Sequence, residues 1–180
     1  MRAEIIEKRV GNLLSARGLT LAVAESCTGG LVGHTITQVA GSSDYFLGGV
    51  IAYSNRAKVE LLGVKRATLN TCGAVSSETA AEMAEGAKKV FGSDVGLSTT
   101  GIAGPTGGSS AKPVGIAYIG MAVRGKTITA RHVFRGTRHK IKTQAARAAL
   151  ALLCSHIKKE YHEHTLIHRN RARRQGKAVS

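Results

Sequence analysis

Three apolar runs in this sequence end on the same kind of punctuation, small hydroxyl residues followed by glycine or by a capping pair. TLAVAE (20–25) runs into Ser26-Cys27-Thr28-Gly29-Gly30, and YFLGGVIAY (45–53) into Ser54-Asn55. DVGLSTTG (94–101) opens the glycine-rich stretch GIAGPTGGSSAKP (101–113). Short apolar runs closed by turn residues and followed by helical periodicity read as buried strands that feed helices. Strands apolar on both faces need a helix layer on each side, which restricts the chain to few architectures.

The intervening segments supply those helices. Ile6, Val10, Leu13 and Leu14 fall at helical spacing before Gly18, and 28–40 and 54–63 read as helices, the second closed by Gly63. Segment 76–92 is capped by Ser76 or Ser77, with Ala80, Met83, Ala84, Ala87, Val90 and Phe91 on one face. VGIAYIGMAV and KTITARHVF pair as a hairpin around Arg124-Gly125, and Gly48-Gly49 marks a bulge or a close backbone approach. A last helix runs from about His139 to Tyr161 with Ile141, Ala145, Ala148, Leu152 and His156 inward. The expected fold is a three-layer α/β/α sandwich with a mixed sheet, one domain over 1–162 followed by a basic, disordered tail over 163–180.

Charge is the oddity of composition. The formal net charge is +15, and eleven of the 26 Lys and Arg lie from Thr137 onward, densest in HRNRARRQGKAVS (168–180). Such a run reads first as a solvated extension, and second as a surface for nucleic acid. With no Trp, four Tyr and three Phe there is little on which to stack bases. The start, MRAEIIEKRV, lacks the apolar core of a signal peptide, and AALALLC (148–154) is too short to span a bilayer. The three cysteines form no CxxC, so neither a zinc site nor a disulfide framework is encoded, no metal or cofactor is expected, and a reducing cytoplasm fits.

In open α/β sheets ligands gather at the carboxyl ends of strands. Here those ends carry Glu25-Ser26-Cys27-Thr28, Tyr53-Ser54-Asn55 and Thr99-Thr100-Gly101. If Ser54 or Asn55 caps the following helix, Lys58 lies in its first turn, where the helix end is electropositive and pushes an ammonium toward its neutral form. A neutral amine serves as a general base, and Ser–Lys pairs are known in nucleophilic catalysis. The plain alternative is an exposed lysine tolerating weak dipole repulsion. Cys27 is a rival nucleophile without an evident histidine. The 101–108 loop is no Walker motif, but its amides can cradle an anion.

The motifs AESCTGG, GSSDYFLGGVIAYSNRAKVELLGV, GAVSSETAAEMAEGA and STTGIAGPTGG…KPVG together resemble the CinA C-terminal domain family, from about residue 4 to 157. Enzymes of that family are nicotinamide-nucleotide amidases, which convert nicotinamide mononucleotide to nicotinate mononucleotide and ammonia. The resemblance implies a stand-alone, metal-independent, cytoplasmic amidase that forms a homo-oligomer, with a dimer favoured. It implies Ser26 as nucleophile and Lys58 as base, with Tyr53 and Thr100 lining the site and Lys58 or Tyr53 returning the proton to ammonia. Amide N–H groups of the turn around Cys27–Gly30 would hold the oxyanion, with Thr28, Gly29 and Gly30 among the binding residues. Arg138, Lys142 and the loop containing Gly101 and Gly104 are the candidates for the substrate phosphate, by charge and position. The chain departs from the family at GTRHKIK, where Thr137 replaces an acid and Lys142 an arginine, and at Ser110-Ala111, where acids are usual. The competing readings are a non-catalytic basic module linked to competence or nucleic acid, and an amidase for a different amide.

Overall fold

The computed structural model describes the backbone of residues 5–175 and the side chains of residues 5–158. Its elements are α1 (Ile6–Ser15), β1 (Leu21–Glu25), α2 (Leu31–Thr37), β2 (Phe46–Ile51), α3 (Asn55–Leu62), α4 (Arg66–Thr71), α5 (Ser77–Phe91), β3 (Val95–Gly101), β4 (Ile116–Val123), β5 (Lys126–Val133) and α6 (Arg138–Gln175). The five strands form one sheet in the order β2-β1-β3-β4-β5. β1 pairs parallel with β2 and β3, whereas β3–β4 and β4–β5 are antiparallel. The β4–β5 hairpin turns on Arg124 and Gly125, both at positive φ, which suits the twist of a two-residue turn.

Alternation along β1 divides the core. Leu21 and Val23 pack with Val10, Leu13, Val32, Ile36, Leu150 and Leu153 from α1, α2 and α6 on one face. Ala22 and Ala24 pack with Leu62, Met83 and Ala87 from α3 and α5 on the other. Every residue of β1 is therefore buried, as a central strand between two helix layers must be. The architecture is the expected three-layer α/β/α sandwich with a mixed sheet. At Gly48-Gly49 both expectations hold: the β1–β2 register slips between Leu21 and Ala22, and a Cβ at Gly49 would collide with Val23.

Several details differ from the sequence reading. α2 begins at Leu31 rather than Thr28, because Gly29 and Gly30 adopt positive φ and keep 28–30 as a turn. α4 was not anticipated; it has no side-chain cap of its own, and Glu82 of α5 accepts from Lys65 N–H and the Thr68 hydroxyl, both at 2.8 Å. Val90 on α5 is exposed. The inner stripe of α6 is rotated onto Ile141, Ala145, Ala146, Ala149, Leu150, Leu153 and Ile157, leaving Ala148, Leu152 and His156 half-buried at its flank. α6 continues past Tyr161 to Gln175, since no Gly or Pro interrupts it before Gly176. The expected basic tail over 163–180 lies largely beyond what can be described, since residues 176–180 and all side chains from 159 onward are outside the described residues. Among the described residues no helix is long and apolar enough to cross a membrane.

Candidate active site

Ser26 directly follows β1, and its N–H extends the ladder by one bond to Thr99 O at 2.9 Å. The i, i+2 alternation that sends Ala22 and Ala24 toward α3 and α5 carries Ser26 the same way. On α3, Ser54 is the cap and accepts from Ala57 N–H at 3.0 Å. Lys58 lies one turn in, and helical side chains lean back toward the amino terminus. Its stem therefore returns toward the strand ends, and Nζ reaches Ser26 Oγ at 3.0 Å, Ala52 O at 2.9 Å and Tyr53 O at 3.5 Å.

Lys58 is 1% exposed, and among the described residues no carboxylate stands within ion-pair distance of it. Desolvation by burial holds its pKa below the ordinary lysine value of 10.5. The sequence reading assigned that depression to the helix end; the structure assigns it first to burial. The two neutral carbonyl oxygens that accept from Nζ, those of Ala52 and Tyr53, satisfy the amine without supplying the negative charge that would keep an ammonium. Cys27 lies beside this pair, but burial pushes its thiol up to about 11, so it stays protonated and weakly nucleophilic.

A cavity of about 280 Å³ opens over the pair. Of the expected residues, Ser26, Lys58, Tyr53, Thr100, Gly101, Gly104 and Arg138 line it. Arg138 donates to Gly104 O at 2.6 Å and to the Tyr53 hydroxyl at 2.9 Å, so it bridges the glycine-rich loop and the end of β2 with N–H donors to spare. Tyr53 is 63% exposed, and its hydroxyl is held by Arg138 rather than by the Ser26–Lys58 pair, which weakens its expected part in proton return. The Thr100 hydroxyl donates to Ala74 O at 2.6 Å and so ties β3 to the start of α5.

Four expected binding residues fall outside this lining. Thr28 is fully buried, and its hydroxyl donates to Glu25 Oε2 at 2.6 Å. Gly30 N–H donates to the same oxygen at 2.9 Å, which removes it from any oxyanion hole and leaves Cys27, Thr28 and Gly29 as the turn's remaining N–H groups. Gly29 and Lys142 lie together beyond the rim, with Lys142 Nζ 3.4 Å from where a Gly29 Cβ would stand. The sequence reading missed Asn55 and Cys27 as lining residues and Glu25 as the centre of the turn's hydrogen bonds. An acid closing an otherwise apolar strand just before a helix was the available signal. A larger cavity, about 480 Å³, opens at the other end of the sheet between α5 and the β4–β5 turn. In its lining the Ser93 hydroxyl donates to Val95 O at 2.9 Å and the Thr127 hydroxyl to Glu85 Oε1 at 2.7 Å. Among the described residues no group of three His, Cys, Asp or Glu could hold a metal ion.

Fold and site together define a three-layer α/β domain with a serine–lysine pair at the carboxyl end of its central parallel strand. A family model described as the CinA C-terminal domain matches residues 3–157. The chain belongs to that family. The CinA-like protein of Kosmotoga olearia is 56% identical over 147 residues, 82% of this chain and 36% of that relative. This chain thus spans about a third of the curated relatives it matches. Among solved structures, a CinA superfamily protein from Klebsiella pneumoniae aligns with a TM-score of 0.83 at 34% identity, covering 86% of this chain and 96% of that one. The competence/damage inducible protein CihA from Agrobacterium tumefaciens gives 0.80 at 38% identity, covering 83% and 94%.

Proposed function

We propose that this domain is an amidohydrolase that converts nicotinamide mononucleotide to nicotinate mononucleotide and ammonia through a serine nucleophile and a lysine base. The observation that carries the reading is the 3.0 Å contact between Ser26 Oγ and a buried amine that, among the described residues, has no acid within ion-pair distance. Neutral Lys58 accepts the Ser26 proton as Oγ bonds to the carboxamide carbon, forming a tetrahedral oxyanion. N–H groups of the turn after Ser26, other than that of Gly30, are the donors for that oxygen, each worth about 10²–10³ in kcat in comparable sites. Lys58 then gives its proton to the amide nitrogen, the C–N bond breaks and ammonia leaves. Water attacks the acyl-serine with Lys58 again as base, restoring Ser26 and releasing the carboxylate.

The substrate follows from the family resemblance and from the cavity. Its volume of about 280 Å³ suits a small molecule. Arg138 supplies spare N–H donors for a phosphate at the rim, with Lys142 one helical turn further on. The test is ammonia release from nicotinamide mononucleotide by the intact protein, Ser26→Ala and Lys58→Ala, each checked for folding by circular dichroism. Both variants lose at least about 10⁴-fold in kcat, as nucleophile and base removals do elsewhere. Turnover retained by Ser26→Ala would overturn the mechanism, and an inactive wild type would overturn the substrate.

A further inference from the structure

Glu25 is a buried titratable group that the mechanism above leaves unused. It is 2% exposed, and among the described residues no cation lies within ion-pair distance of it. Its carboxylate is met instead by four donors. Oε2 accepts from Thr28 Oγ1 at 2.6 Å, Gly30 N–H at 2.9 Å and Val32 N–H at 3.1 Å, and Oε1 accepts from Gly33 N–H at 2.8 Å. A carboxylate has no proton to give, so Thr28 must donate to it, and the 2.6 Å contact between Thr28 and Thr99 must then run from Thr99 to Thr28. The hydroxyl chain has one polarity, fixed at Glu25 and anchored on β3.

Glu25 and Ser26 leave the end of β1 on opposite faces. Glu25 grips the residues from Thr28 to Gly33 on the α2 side, while Ser26 faces Lys58 on the α3 side. Everything between them, Cys27 to Gly29, is a short turn with a glycine at φ 60° and no regular structure of its own. Its shape is set by what holds its two ends: the Ser26 N–H bond to Thr99 O at one and the Glu25 carboxylate at the other.

We propose that Glu25 is the positioning residue of this site: by binding Thr28, Gly30, Val32 and Gly33 together, it fixes the turn that aims Ser26 Oγ at Lys58 and the remaining turn amides at the cavity. The assignment rests on the serine–lysine reading above. Gln is no substitute for Glu here. With its oxygen in the three-donor position, its NH₂ would face the Gly33 N–H, donor against donor.

The experiment compares Glu25→Gln, Thr28→Val and Thr28→Ser with Glu82→Gln, which removes from α5 the carboxylate that holds the start of α4 by two hydrogen bonds and a 3.7 Å ion pair with Lys65, away from the cavity. Glu25→Gln lowers kcat on nicotinamide mononucleotide about a hundredfold, the scale of an ångström's misplacement, with KM within about threefold. Thr28→Val gives a smaller loss than Glu25→Gln, and Thr28→Ser, which keeps the hydroxyl that Glu25 accepts from, a smaller loss than Thr28→Val. Glu82→Gln lowers the melting temperature and leaves kcat unchanged. Two readouts need no substrate: amide hydrogen exchange at 27–33, which speeds up in Glu25→Gln but not in Glu82→Gln, and labelling of Ser26 by a fluorophosphonate, which slows. Should the wild type fail on nicotinamide mononucleotide, these two still judge Glu25 separately from the choice of substrate. Wild-type exchange at 27–33 in Glu25→Gln overturns the assignment. So does a kcat loss in Glu82→Gln equal to that in Glu25→Gln.

Discussion

Replacing Lys58 by methionine gives the sharpest reading of the amine's charge. Methionine keeps an unbranched stem of similar reach and removes the proton that titrates. In the folded protein burial holds the Lys58 pKa below 10.5, the value expected when the chain is unfolded. Between the two values the unfolded chain binds a proton that the folded chain does not. Wild-type stability therefore rises with pH across that window, is complete above 10.5, and is lost as pH falls through the folded value. One proton of difference amounts to at most about 1.4 kcal/mol per pH unit. For a domain of this size that is about 3–5 °C in melting temperature per unit. The measurement is thermal unfolding of wild type and Lys58→Met from pH 7 to 10.5, followed by circular dichroism. Taking the difference between the two proteins cancels the other lysines and the tyrosines, which titrate alike in both. Wild type should gain on the variant as the solution becomes more alkaline. The acid limb of kcat/KM should lie below the ordinary lysine range for the same reason. A stability difference that stays flat with pH would mean that Lys58 binds its proton equally well folded and unfolded, and the neutral-base argument would fail.

Cys27→Ala should keep turnover within about threefold, because a thiol pushed up to about 11 contributes little thiolate near neutral pH; loss of activity together with covalent trapping of Cys27 by substrate would contradict this. Gly96→Ala should cost about 3 kcal/mol, read as a lowered melting temperature, since its Cβ would strike the Ala84 carbonyl oxygen on α5, which is backbone and cannot swing aside. Asp94 accepts from Thr20 N–H and Oγ1, both at 2.8 Å, and the backbone bond above all holds its carboxyl below 3.8. Asp94→Asn should therefore lose about 1 kcal/mol near neutral pH, below the usual range for charged hydrogen bonds because the group is largely exposed. That deficit is present above 3.8 and should close as acid protonates the wild-type carboxylate, which urea titrations at pH 7 and pH 3 would show.

What could be read from the residues, and what could not, divides along the range of the interactions involved. Strands, caps and the β4–β5 turn were legible because each depends on neighbours: Ser54 and Ser76 cap α3 and α5 through amides three residues ahead. α4 was not, because the carboxylate that holds its start comes from Glu82, seventeen residues beyond Lys65. Lys58 was singled out for its place in a helix's first turn, yet the cause of its depressed pKa is burial, which depends on packing against β1 and the strand ends. The decisive long-range fact is strand order. From β1 the chain crosses to β2 through α2 on one face, then passes over β1 to β3 through α3, α4 and α5 on the other. The connection from the end of β1 runs to α2 on one face and that from the end of β2 to α3 on the other, so a crevice opens at these strand ends, the place where doubly wound sheets bind ligands. The sequence puts Ser26 at the end of a strand; only the β2-β1-β3 order makes that end the crevice. It also explains why one turn needs two grips: α2 departs from the side of the sheet away from the cavity, so Glu25 must hold its start on that side while Ser26 faces the other.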